Sequence, residues 1–314
     1  MMVSICVPIY NVEKYIERCA VSLLEQSYGD IEYLFVNDCT PDASVHILKE
    51  TIERYPSRKN QVKILHHDHN RGLSAVRNTA ISNCSGDFVL HVDSDDYLEI
   101  NAVEKLVEKQ KETNADIVSG QVFQISKNKN CILERPQFNN HDDFVEDIIE
   151  PSIRHSIWGR LIRRSLYIDN QIVAKEGVDI GEDLQVMTQL AYFAKKTESV
   201  WNVVYFYDCT NEFSYMNQFD TKNVKRLAQD AQSMEVVRLF LMGKNSRWVD
   251  LSERYLSDYY LNLLRAYSRL GMRDDFVIIQ HQLSALQCKN RKLSAIQRLK
   301  FCSYRMSRIA NLLK

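Results

Sequence analysis

Short runs of β-forming apolar residues alternate with stretches of helical apolar spacing through the first 125 residues. Val3–Ile9 is one such run, and the polar pair Tyr10-Asn11 follows it. Val12, Ile16, Ala20, Leu23 and Leu24 recur at helical intervals, which predicts a helix over 12–27. Further strands are predicted at 31–36, 62–65, 88–92 and 117–123, and further helices through Val45, Leu48, Ile52 and Tyr55, over 72–83 and over 101–113. This β-α-β order with apolar strands predicts an α/β fold, a doubly wound, mostly parallel sheet with helices on both faces.

From 126 to 150 the chain turns polar, with Lys127-Asn-Lys-Asn130 and His141-Asp-Asp143, and reads as an irregular surface excursion. Residues 151–210 return to mixed structure. Beyond 222 only helices are predicted, over 222–242, 248–270, 274–288 and 292–313. The expected organisation is an α/β domain over 1–221, split into 1–125 and 126–221, followed by a helical C-terminal region over 222–314.

Composition narrows the function classes. The 314 residues are 45% hydrophobic and 26% charged, a globular profile rather than a disordered one. A net charge of −1 argues against a globally basic nucleic-acid binder. No apolar stretch is long enough to span a bilayer, and Met1–Tyr10 reads as a first strand, not a signal peptide. The eight cysteines form no CxxC pair, so they are expected as reduced core residues of a cytoplasmic protein. Neither a P-loop nor a G-x-G-x-x-G fingerprint occurs.

Polar clusters follow each predicted strand: Tyr10-Asn11, then Asp38, then Asn70 and Arg77, then Asp93-Ser-Asp95-Asp96. Open α/β sheets bind ligands at the carboxyl ends of their strands. Three carboxylates in four residues repel one another unless neutralised, and a hard divalent cation would do so. An acidic turn capping the next helix is the bland alternative. Asp38 reads either as a turn residue or as an acceptor for a nucleobase or ribose donor. His66-His-Asp-His69 reads as a solvent-facing loop rather than a transition-metal site. Tyr205, Tyr207 and Tyr215 suit sugar stacking or core packing.

Val7-Pro-Ile-Tyr-Asn11, Phe35-Val-Asn-Asp38 with Asp42, Asn70-Arg-Gly-Leu-Ser-Ala-Val-Arg-Asn78 and His91-Val-Asp-Ser-Asp-Asp96 resemble the successive blocks of family 2 glycosyltransferases. The resemblance is dense over 1–125 and thinner to about 215. It implies a GT-A fold and inverting transfer from a nucleotide sugar, usually a UDP-sugar, with Mn²⁺ or Mg²⁺ as cofactor. It also implies a base pocket of Pro8, Tyr10 and Asn11, with Asp38 on uracil and Asn70 and Arg77 nearby. Asp93 would hold ribose or a metal-bound water, and Asp95, with Asp96 in the same block, the metal. Trp158-Gly-Arg160 resembles an acceptor-side block. Glu182-Asp183 resembles the acidic pair whose Asp is the usual catalytic base, against the bland reading of a helix N-terminal cap.

Two departures stand out. The family's Asp-Gly-Ser-x-Asp-Gly-Ser turn is here Asp38-Cys-Thr-Pro-Asp-Ala-Ser44, without its glycines. Asn211-Glu-Phe-Ser214 lacks a basic residue that relatives often place before the serine. The implied function is sugar transfer to a hydroxyl of a glycan or lipid-linked acceptor in bacterial surface polysaccharide synthesis. Nucleotidyl transfer and a non-catalytic sugar-nucleotide-binding scaffold are the alternatives. No nucleic-acid partner is expected. Residues 276–314 carry eight Lys/Arg and no Asp/Glu. This basic amphipathic tail suits peripheral contact with the inner face of the cell membrane or packing on the acidic catalytic domain or a partner subunit.

Overall fold

The computed structural model describes residues 1–138, 140–152, 155–211 and 224–289. The chain divides into two compact units, Met1–Ile148 with Ser152–Gln218, and Ile149–Pro151 with Phe219–Lys314.

The first unit is built on β1 (Val3–Ile9), β2 (Ile31–Asn37), β3 (Val62–His66) and β4 (Phe88–His91), all parallel in the order β3-β2-β1-β4. Successive strand residues point to opposite faces. In β1 both sets from Val3 to Val7 are buried, so both faces of the sheet are covered. Val3, Ile5, Val7 and Ile9 share a core with Ile16, Cys19, Ala20 and Leu23 of α1 (Ile16–Leu24) and Leu48 of α2 (Ser44–Glu53). α4 (Leu73–Asn83) packs on β1 and β2. These are the crossover helices that the apolar spacing predicts. α1 begins four residues later than expected, because Val12–Tyr15 form turns.

The sheet continues through β8 (Arg160–Arg163), β6 (Ile117–Ile125), β9 (Thr197–Asp208) and β5 (Tyr97–Leu98), in the order β4-β8-β6-β9-β5, and β7 (Cys131–Leu133) pairs with β6. β8 runs antiparallel to β4 and β6, and β9 runs parallel to β6. α5 (Ala102–Thr113) packs on β6 and β9.

The expected irregular excursion over 126–150 is corrected here. It contains β7 and α6 (His141–Ile149), with Phe144, Val145 and Ile148 buried at helical spacing. Acidic residues in the first turn masked that spacing. α7 (Arg164–Asp169) and α8 (Glu182–Phe193) complete the unit's later half, and the short α3 (Pro56–Lys59) precedes β3.

One charge inside the sheet needs an explanation. Glu32 on β2 is 6% exposed. It accepts hydrogen bonds from Ser4 Oγ, the Ser85 backbone and hydroxyl and the Gly86 N–H, and Lys63 Nζ lies 3.2 Å away. Burial opposes its charge, but these donors hold its pKa down at about 2.

In the second unit, α9 (Val224–Leu241) and α11 (Arg273–Lys289) pack on α10 (Ser246–Leu270). Asn245 caps α10 by accepting from the Arg247 N–H at 2.9 Å, and Gly271 ends it in the left-handed region. The expected helix over 292–313, the basic tail beyond 289 and Tyr215 lie outside the described residues. Among the described residues no helix is long and apolar enough to cross a membrane. Cys6, Cys19 and Cys84 are buried free thiols, whereas Cys39 is exposed.

Candidate active site

Because β1 to β4 are adjacent and parallel, their carboxyl ends bring four separate sequence clusters onto one rim. Pro8, near the end of β1, is half-buried, and after the strand Tyr10 is exposed and Asn11 is exposed with φ +60°. After β2, the loop from Asp38 to Ala43 is laced to this segment. Asn11 N–H donates to Thr40 Oγ1 (2.8 Å), Val12 N–H to Ser44 Oγ (3.1 Å) and Glu13 N–H to Asp42 Oδ2 (2.9 Å). Where the family has its first glycine, Cys39 adopts φ +55°, the left-handed region that glycine enters without strain. Ala43, at the second glycine position, has φ −80° and needs none.

Asp38 is 2% exposed. Its carboxylate accepts from the Arg71 N–H (2.9 Å), the Gly72 N–H (2.8 Å) and His67 Nδ1 (2.6 Å). Asn70 is exposed beside it, with Nδ2 3.5 Å from the Asp38 carbonyl oxygen. Gly72 has φ +88°, and a Cβ there would overlap the Asp179 carboxylate, which accepts from the Ser74 N–H at 2.9 Å. The chain from 174 to 182 is thereby fastened to α4. Asn78 completes the fastening by exchanging two hydrogen bonds of 2.9 Å with the Ala174 backbone.

Arg77, expected near the base, faces acids. It is 4% exposed and committed to carboxylates. Nη2 lies 3.1 Å from Asp93 Oδ1 and 3.4 Å from Asp183 Oδ1, and Nε lies 3.2 Å from Glu182 Oε1. Nη1 makes no hydrogen bond. Burial pushes Asp93 up to about 6, against the pull of Arg77, and the charges of Asp183 and Asp95 push the same way. Burial, with Asp183 next to it, drives Glu182 well above the usual carboxylate range. The three acids in turn hold Arg77 firmly protonated although burial opposes its charge.

Glu182 and Asp183 lie in the first turn of α8, where carboxylates suit the helix dipole. Both also face Arg77, and Asp183 Oδ2 accepts from the Ile157 N–H at 3.2 Å.

The acidic turn after β4 divides by orientation. Asp93 keeps a quarter of its side chain exposed. Asp95 is half-buried and accepts from Asn211 Nδ2 at 2.9 Å, and burial raises its pKa. Asp96 turns inward: it is 1% exposed and accepts from Tyr205 Oη (2.6 Å) and the Asp208 N–H (2.8 Å). The expectation that Asp96 ligates metal beside Asp95 meets this inward orientation, in which each of its oxygens already accepts a hydrogen bond within the fold. Among the described residues no group of three or more His, Cys, Asp or Glu side chains is arranged to hold an ion. Asp95 and Asp93 are hard oxygen donors crowded by like charge. They suit a divalent cation whose remaining ligands are phosphate oxygens and water.

Trp158 and Arg160 lie beneath the surface, at 5% and 2% exposure, rather than facing an acceptor. Trp158 stacks on Tyr205 (4.8 Å, 13°) and Tyr207 (5.1 Å, 26°); Tyr205 is in the core, and Tyr207 is half-buried against it. Tyr205 Oη also accepts from the Asp93 N–H at 3.1 Å. Arg160 Nε donates to the Ser156 carbonyl at 3.1 Å, bracing the turn whose Ile157 N–H holds Asp183.

Arg18 and Arg135 carry no local motif, and Asn78 and Asn211 stand in motifs without an assigned role. Arg18, on α1, donates to the Asp95 carbonyl (2.7 Å) and pairs with Asp208 Oδ2 (2.8 Å). Arg135 lies over the Trp158 ring at 5.1 Å. Only the Arg77-Asn78 doublet could have drawn attention to Asn78.

The family model for Glycosyl transferase family 2 matches residues 4–171. The uncharacterized glycosyltransferase EpsJ of Bacillus subtilis (strain 168) is 33% identical over 190 residues, 58% of this chain and 54% of the relative. Glycosyltransferase GlyA of Streptococcus pneumoniae serotype 4 is 41% identical over 177 residues, 52% of this chain and 25% of the relative. The matches thus span about half of EpsJ and a quarter of GlyA. Among solved structures, S. aureus TarS 1–349 in complex with UDP-GlcNAc superposes with a TM-score of 0.61 at 18% identity, covering 91% of this chain and 92% of that one. Mannosyltransferase PcManGT from Pyrobaculum calidifontis, in complex with GDP-Man and Mn²⁺, does so with 0.56 at 16% identity, covering 99% and 86%. Likeness at such identity carries the fold, which is of the GT-A type.

Proposed function

The chain belongs to glycosyl transferase family 2, and on that premise we propose that it moves a sugar, with inversion, from a UDP-sugar to a hydroxyl of a glycan or lipid-linked acceptor in bacterial surface polysaccharide synthesis. One observation carries the reading: a single buried guanidinium, Arg77, is within 3.4 Å of both the donor-side Asp93 and the Glu182-Asp183 pair. Residues 1–125 then supply the nucleotide half and 126–221 the acceptor half.

Pro8, Tyr10, Asn11, Asp38 and Asn70 receive the nucleoside at the strand ends, and Arg77 holds Asp93 toward the ribose. Asp183 acts as the base. Its Oδ1 is buried beside Arg77, and Oδ2 accepts from the Ile157 N–H, which leaves a lone pair for an acceptor hydroxyl. The acceptor oxygen bonds to the anomeric carbon as the bond from that carbon to the diphosphate breaks. The electron pair leaves with the diphosphate, and the hydroxyl proton passes to Asp183. A divalent cation held by Asp95, with Asp93, would supply positive charge to offset what develops on the leaving diphosphate. Glu182, beside Asp183, orients the acceptor. Trp158 and Arg160 position this machinery from below.

The UDP-GlcNAc complex of TarS supports the UDP donor class. The direct experiment is UDP release from a set of UDP-sugars with a glycan acceptor, in Mn²⁺ and then in EDTA. The product should have the anomeric configuration opposite to that of the donor. An absence of acceptor-dependent release with every donor in Mn²⁺ would sink the proposal.

A further inference from the structure

The motif His66-His67-Asp68-His69 has found no role in transfer. His66 Nδ1 lies 3.0 Å from Asn37 Nδ2, and His69 is exposed beside Asp68. His67 differs, because its side chain is 5% exposed and held at both nitrogens. Nδ1 lies 2.6 Å from Asp38 Oδ1, and Nε2 lies 2.9 Å from Thr79 Oγ1 on α4. A carboxylate only accepts, so Nδ1 carries the hydrogen of that bond, and the Thr79 hydroxyl fixes the plane of the ring.

The lone pairs of Asp38 can be counted. Each carboxylate oxygen accepts two hydrogen bonds. Oδ1 is filled by His67 Nδ1 and the Arg71 N–H, whereas Oδ2 holds the Gly72 N–H alone. One acceptor position is left, on Oδ2. A uracil ring offers a single imide N–H flanked by carbonyl oxygens. Guanine offers two adjacent donors, a ring N–H and an exocyclic amine, which a carboxylate with room on both oxygens receives together.

We propose that His67 is a positioning residue that determines donor specificity: by occupying Oδ1 it restricts Asp38 to one incoming donor and selects a uracil-type base over guanine. The inference rests on the reading of Asp38 as the base contact. The Arg71 and Gly72 amides belong to the backbone and stay in place when the side chain at 67 changes. Removing the imidazole therefore opens one position on Oδ1 and loosens the Asp38 rotamer at the same time.

The test is calorimetric titration of the full chain with UDP and with GDP, in Mn²⁺, for wild type, His67→Ala, His67→Asn and Asp38→Asn, each shown to be folded by thermal melting. His67→Ala should shrink the preference for UDP over GDP by about tenfold. His67→Asn should keep it, since an amide N–H can take the place of Nδ1. General structural damage weakens both nucleotides together and does not move the ratio. If Asp38→Asn loses UDP affinity while His67→Ala keeps the wild-type ratio, the role of His67 is overturned and the Asp38 contact stands. If Asp38→Asn binds UDP as wild type does, the Asp38 contact itself falls, and the inference with it.

Discussion

Arg77 Nη2 lies 3.4 Å from Asp183 Oδ1, and the same nitrogen reaches Asp93 Oδ1 at 3.1 Å. Arg77 comes from α4 and Asp183 from α8, so one side chain ties the donor rim to the candidate base. Replacing Arg77 by Ala leaves three clustered acids without their cation. The expected loss of stability is about 3–5 kcal/mol, together with loss of UDP release. Lysine restores charge but not the fork that spans three partners, so Arg77→Lys should regain part of the stability and little turnover. Urea midpoints read beside UDP release check both points.

Asp183→Asn keeps size and most contacts but removes the proton acceptor. Turnover should fall roughly 10²–10⁴-fold while UDP affinity stays near wild type. Single-turnover assays with matched calorimetry decide it, and turnover at the wild-type rate would remove Asp183 from the role of base.

Asn78 exchanges two hydrogen bonds with the Ala174 backbone and helps fasten the segment that carries Glu182 and Asp183. Asn78→Ala leaves a backbone N–H and carbonyl without these partners, at a cost of about 1–3 kcal/mol. The expected signature is a lower kcat with donor KM little changed, measured beside the melting temperature.

Cys39 sits at φ +55° on an exposed loop. Glycine tolerates that conformation without a Cβ clash, so Cys39→Gly should raise stability by about 0.5–1 kcal/mol and remove the exposed thiol. A lower melting temperature would contradict the strain.

Glu32 gives an acid-dependent prediction. Its folded pKa is about 2, below the ordinary 4.5. Because the folded value is depressed, the stabilisation is full above about pH 4.5 and disappears as the pH falls through about 2. It amounts to about 3 kcal/mol at most. The stability gap between wild type and Glu32→Gln in urea should therefore be widest at neutral pH and close toward pH 2.

Much of the rim was legible because each cluster directly follows an apolar strand. Tyr10-Asn11, Asp38 and Asp93-Ser-Asp95-Asp96 needed only a parallel sheet to bring them together. α6 was hidden because polar residues fill its exposed face and first turn. Asp96 could not be told from Asp95, since adjacent residues of a turn differ in direction and not in pattern. The burial of Arg160 was hidden because its partners Ser119 and Ser156 are not marked by any pattern around it.

What the sequence alone determined was periodicity and order: which segments form strands, which form crossover helices, and which polar residues lie at strand ends. Those properties follow from local backbone geometry and from burial on one or both faces. Tertiary structure decided the partnerships: Arg77 with three acids, His67 with Asp38, and Asp96 with Tyr205. Each joins elements distant in the chain, and the energy of a buried charge depends on what surrounds it in space, which no local pattern records.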